Sequence, residues 1–151
     1  MENYDIIDTL NTLIETSRDG DNGFTACAED AKDAALRAYF TTCATRCRES
    51  VHTLGELVKL RGGKPEQTGT MLGSFNRAWL NLRAAISSNS DIAVLEECER
   101  AEDAAIRSYK AALAKLLPAD VRSVIQVQLN GVQENHDRVR MMRDEKKRLA
   151  A

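Results

Sequence analysis

Residues 61–91 read RGGKPEQTGTMLGSFNRAWLNLRAAISSNSD, and this stretch decides how the rest of the chain can fold. It opens on a glycine pair and a proline, which end helices, and it closes on a turn rich in serine and asparagine. Between these breaks, apolar residues recur at helical spacing, namely Leu72, Phe75, Trp79, Leu82 and Ile86. We therefore predict a long connection over residues 62–90 that carries a short helix over about 71–86.

The segments on either side of this connection have the apolar periodicity of long amphipathic helices. Two helices are predicted before it, over about 4–31 and 33–61, and two after it, over about 91–117 and 119–148. Asp33 has the residue type and position of an N-cap for the second helix. No segment has the alternation of a usable strand, so the sequence predicts an all-α protein.

The lengths of the three connections predict how these four helices are arranged. The first and third connections are short, so each joins two antiparallel neighbours, whereas the second is long enough to return along the bundle. One long crossover between two antiparallel pairs is typical of the ferritin-like fold. We predict a ferritin-like up-down four-helix bundle in which residues 1–151 form a single domain and the crossover carries a short helix.

Motifs along nearly the whole chain support this prediction. They are Leu10-Asn11-x-Leu13-Ile14-Glu15 with Asp19 and Gly23-Phe24, Arg77-x-Trp79-x-Asn81-Leu82, Glu99-Arg100-x-Glu102-Asp103 with Tyr109, and His136-Asp137-x-Val139. In these motifs the chain resembles a family of small bacterial proteins of unknown function that adopt a ferritin-like bundle. The resemblance implies a fold and no particular activity, since a fold does not determine function. A role in stress physiology follows by analogy only.

Composition excludes several classes of protein. The 151 residues suit one domain, and 21 Lys and Arg against 23 Asp and Glu give a net charge of −2, which disfavours nucleic acid as a partner. No apolar run is long enough to span a membrane, and the acidic N-terminus is unlike a signal peptide. We expect a cytoplasmic protein, and helical bundles of this kind commonly form homodimers.

The ferritin-like fold raises the question of a dimetal site, which uses inward Glu residues and Glu-x-x-His pairs. Glu99 and Glu102 fall on the inward stripe of the third long helix, and His136 falls near that of the fourth. These three residues are the candidate metal ligands, for iron or manganese. The alternative function is therefore a metal-binding carboxylate protein of oxidase or peroxidase type.

Two observations favour a binding or structural protein without a cofactor or catalytic residues. The Glu-x-x-His pair of the second helix, Glu49 and His52, faces away from the apolar stripe, and Gln133 replaces the Glu that would precede His136. The inward acidic residues then form a buried polar cluster. Their predicted partners are Arg46, His136, Arg143 and Tyr109.

The four cysteines, at positions 27, 43, 47 and 98, are scattered through helical segments. Cytosolic thiols stay reduced, so we predict four free cysteines that behave as small buried hydrophobes. Four thiolates can also hold a soft ion such as Cu(I) or Zn(II), but the helical angles place these residues towards the edges of the stripes.

Overall fold

The computed structural model describes residues 2–67 and 74–151, without the side chains of residues 74–79. The helices are α1 (Asn3–Asp30), α2 (Ala34–Leu60), α3 (Ser74–Ser87), α4 (Asp91–Leu113) and α5 (Ala119–Ala150). Across the described ranges there is no strand, which confirms the prediction of an all-α protein. The predicted start of the crossover helix, residues 71–73, lies outside the described residues, as does the side chain of Trp79.

Capping hydrogen bonds and a left-handed glycine, all local in sequence, define several helix ends. The Asp33 carboxylate accepts a hydrogen bond from the backbone N–H of Leu36 at 3.0 Å, which confirms the predicted N-cap of α2. Ser90 caps α4 in the same way through the N–H of Ala93 at 3.2 Å. At the end of α2, Gly62 has a φ of 77°, a left-handed conformation that glycine adopts without steric cost.

One predicted boundary is wrong, because α4 ends at Leu113 rather than near residue 117. The residue before a proline is disfavoured in the helical region, so Pro118 shortens the helix from its C-terminal side. The segment that follows α4 forms hydrogen bonds with residues of α1 and α5. Lys115 donates to the Thr9 hydroxyl at 3.0 Å, and its carbonyl accepts from Arg122 at 2.7 Å.

The helices pack as two pairs with the crossover helix beside them. α1 lies along α2, and α4 lies along α5, as the short connections predicted. α3 packs on α4 and on α1, and therefore covers the seam between those two helices. α2 and α5 approach each other only slightly along the opposite seam, so the bundle is asymmetric.

The buried apolar side chains form two separate clusters. One, at the α1–α2 turn end, includes Phe24, Phe40, Leu82 and Leu95. The other, at the opposite end, includes Leu10, Leu13, Leu54 and Ile125. Each cluster draws on α1, α2, α4 and α5, so the bundle is closed by a core at both ends, and the region between them is the place to look for a site.

We predict that Leu10→Ala lowers the free energy of unfolding by about 3 kcal/mol, since it removes a fully buried side chain and leaves a cavity. Leu116→Ala is the matched control, because Leu116 is 82% exposed and its truncation should change stability by less than about 0.5 kcal/mol. Urea unfolding of both variants measures the difference. Equal effects would contradict this assignment of the core.

Candidate functional site

A cleft of about 630 Å³ lies along the α2–α5 seam, between the two core clusters. Residues of α1, α2, α4 and α5 line it, and small residues leave its interior unfilled, namely Gly20, Ala101, Ala105 and Gly131. Its apolar wall includes Phe24, Val124, Val127 and Val132. The volume and the mostly apolar lining are typical of sites for small molecules.

Glu102 of α4 lines this cleft although it is only 4% exposed. The Tyr39 hydroxyl of α2 donates to both of its carboxyl oxygens, at 3.2 and 3.3 Å, and also lies 3.3 Å from the Asn135 carbonyl of α5. The Cys98 thiol, one turn earlier on α4, lies 3.6 Å from Oε1. Over the described ranges no lysine, arginine or histidine forms an ion pair with Glu102, so its hydrogen-bond partners are uncharged.

This environment changes the acidity of Glu102. Burial raises the pKa of its carboxyl from 4.5 to about 8, while the hydrogen bonds from Tyr39 and Cys98 oppose the rise and the charges of Asp103 and Glu99 add to it. A carboxyl group taken out of water without a cation disfavours its charged form. At neutral pH the group is therefore mostly protonated.

A second polar group lies on the same cleft. The Tyr109 hydroxyl donates to Gln128 Oε1 at 2.8 Å and lies 3.4 Å from the Ser17 hydroxyl. Burial raises the pKa of Tyr109 to about 12, so it keeps its proton. On α2, the exposed Arg46 donates to Asn135 Oδ1 at 2.9 Å, and both residues also line the cleft.

The structure separates the three predicted metal ligands into two environments. Glu99 pairs with the Arg143 guanidinium, and its Oε1 lies 3.5 Å from His136 Nε2. His136 lies closer to Asp103, at 2.8 Å, whereas Glu102 faces Tyr39 and Cys98. Within the part of the chain that the structure describes, no three or more His, Cys, Asp or Glu side chains are grouped to hold a metal ion.

The predicted neutralising partners were right for Glu99 and wrong for Glu102. Arg143 and His136 both contact Glu99, as the polar-cluster hypothesis required. Glu102 instead accepts a hydrogen bond from Tyr39. Arg46 is hydrogen-bonded to Asn135, and Tyr109 is hydrogen-bonded to Gln128.

The predictions of which other α2 side chains face inward are confirmed. Glu49 and His52 are exposed, whereas Cys47 and Ser50 are partly buried. Cys47, Ser50 and Glu49 line the cleft. All four cysteines are free. Burial raises the pKa of Cys27 and of Cys43 to about 12, so both are thiols at neutral pH.

Sequence reasoning missed Tyr39. The signal was present, because Tyr39 follows Leu36 by three residues and precedes Cys43 by four, and both spacings place residues on one helical face. No spacing in the sequence predicted the cleft. Its small residues are spread over three helices and come together only after packing.

Residues 5–115 match a family model described as a domain of unknown function (DUF2383). No curated protein matches the chain significantly. None of the helices in the described ranges combines the length and apolarity needed to cross a bilayer.

We predict that Glu102→Gln alters how stability depends on pH. The raised pKa means that the folded chain holds the Glu102 proton more tightly than the unfolded chain. The free energy of unfolding should therefore fall as pH rises from about 5 to about 8, by an amount on the order of 4 kcal/mol. The Gln variant should lose this fall.

Urea unfolding at several pH values measures this effect. Glu56→Gln, at an exposed position of α2, is the control and should keep the wild-type profile. An unchanged fall in the Glu102→Gln variant would show that Glu102 does not cause it.

The metal hypothesis remains a prediction with its own test. A ligand that binds only the folded state stabilises it by about 2.7 kcal/mol at a hundredfold excess over its dissociation constant. We expect no such rise in melting temperature with ferrous iron or Mn²⁺, because Arg143 already pairs with Glu99. A rise with metal concentration that is lost in Glu102→Gln would establish the metal site instead.

Proposed function

This chain belongs to the family described as a domain of unknown function (DUF2383), and we propose that it binds a small molecule in the cleft between α2 and α5. The cleft itself carries this proposal. Its volume of about 630 Å³ lies between two packed clusters, where a purely structural bundle would place large apolar side chains. An opening of this size, lined by residues of four helices, supports a role in binding a ligand.

The residues on the cleft suit recognition better than catalysis. Most of the exposed lining is apolar, and some of the polar groups on the cleft are held in fixed positions by hydrogen bonds, among them Glu102, Tyr109 and Gln128. This combination is typical of small-molecule sites. The cysteine nearest to Glu102 is a buried thiol rather than a nucleophile.

We also propose that the helices have the ferritin-like arrangement and that the protein is cytoplasmic. Two antiparallel pairs joined by a crossover that carries α3 support that arrangement, and bundle proteins of this type place ligand sites between facing helices. A homodimer stays a prediction.

Filling the cleft tests the proposal. Ala105→Leu adds a large side chain at a lining position of α4, and Ala111→Leu makes the same change at an exposed position of the same helix. We expect the neutral dye Nile red to gain fluorescence with the wild-type chain and with Ala111→Leu. Ala105→Leu should weaken dye binding at least tenfold.

Circular dichroism melting establishes that both variants are folded before binding is compared. Equal dye binding by folded Ala105→Leu and Ala111→Leu would place the dye elsewhere and would contradict the proposed site. Absence of dye binding to the wild-type chain would also count against it.

A further inference from the structure

We propose that the ligand of the cleft is an amphipathic amine, whose protonated nitrogen pairs with the Glu102 carboxylate and whose apolar chain lies on the cleft wall. This inference rests on the proposed function, because it names the class of molecule that the same cleft accepts. It depends on the position of Glu102 on the cleft, on the hydrogen bonds that the residue already makes, and on the lack of an ion pair to its carboxyl among the described residues.

Glu102 has capacity for further hydrogen bonds. An ionised carboxylate offers about four lone-pair positions, and the described residues supply only the Tyr39 hydroxyl and the Cys98 thiol. A buried carboxylate is costly unless a cation accompanies it. No described lysine, arginine or histidine pairs with Glu102, although the residue is among those that line the cleft; Arg46 of the same lining bonds to Asn135 instead.

The partners of Glu102 suit its ionised form. Tyr39 and Cys98 are both donors, and burial raises the pKa of each, so both keep the protons that they direct at the carboxyl oxygens. Tyr39 lies within hydrogen-bond distance of both oxygens. A carboxylate surrounded by donors is an acceptor site, and a protonated amine supplies the missing charge.

The charges around this position are consistent with a cationic guest. Glu99 and Asp103 on the same helix add negative charge at Glu102. The cations of the neighbouring helices act on the adjacent thiols and make no ion pair with Glu102. The charged groups that act on Glu102 or on the thiols of its cluster are Glu99 and Asp103 of α4, Arg46 and Arg48 of α2, Asp21 and Asp30 of α1, Arg83 of α3 and Arg138 of α5.

The apolar part of the cleft defines the rest of the ligand. Phe24 of α1 and three valines of α5 line the same space as Glu102. An alkyl or aryl group therefore leaves water on binding, which favours association in proportion to its area. A small hydrophilic amine would gain only the ion pair.

Isothermal titration calorimetry with n-octylamine and octan-1-ol tests the inference, since the two probes share a chain and differ in the charged group. At about pH 8.5 we expect octylamine to bind at least tenfold more tightly than octan-1-ol. Glu102→Gln should remove that difference, while Glu96→Gln, on the same helix and outside the cleft, should preserve it.

The pH dependence has a definite sign. Octylamine stays protonated below a pKa like that of lysine, about 10.4, while the carboxyl of Glu102 ionises around its own pKa of about 8. Apparent affinity scales with the fraction of the binding-competent form. It should therefore increase from about pH 6 to about pH 9.

The outcomes separate this inference from the proposed function. Octylamine and octan-1-ol binding equally, without pH dependence and both blocked by Ala105→Leu, would overturn the amine inference and leave the cleft as a binding site. Tighter binding of octan-1-ol at low pH would also overturn it, because a protonated Glu102 would then be the donor. No binding of either probe or of Nile red would overturn both proposals.

Discussion

The packing of α1 along α2 is the interaction on which the other helices depend. Each of these helices buries one apolar stripe against its partner, and the Asp33 cap fixes the turn that joins them. α3 packs on α1 and on α4, and thereby links this pair to the pair formed by α4 and α5. Because α3 covers one seam only, the opposite seam between α2 and α5 is where a cleft can persist.

Glu102 shows how this asymmetry bears on function. Glu102 lies against Tyr39 and Cys98 of one core cluster and also lines the cleft. At the cleft, the same group can meet a ligand. Tyr39 and Cys98 hold its oxygens in place before any ligand arrives, and such preorganisation lowers the entropy cost of binding.

Much of the fold could be predicted from local chemistry. Apolar spacing located the helices, and Asp33 and Gly62 marked ends that the structure confirms. The end of α4 was wrong because the apolar pattern continues past Leu113, whereas the geometry before Pro118 and the contacts of Lys115 set the actual end. The inward positions of Glu99, Glu102 and His136 could also be predicted from the sequence, but the side chains that contact Glu102 could not.

By itself, the sequence determined the helical class, the order and approximate bounds of the helices, and which residues lie on their inner faces. These properties depend on spacing along one helix, which the chain carries directly. Only the tertiary structure decided that Glu99 meets Arg143, that Glu102 meets Tyr39, and that small residues from separate helices leave a common cleft. Such pairings depend on the rotation and the axial offset of one helix against another, and the periodicity of a single helix specifies neither.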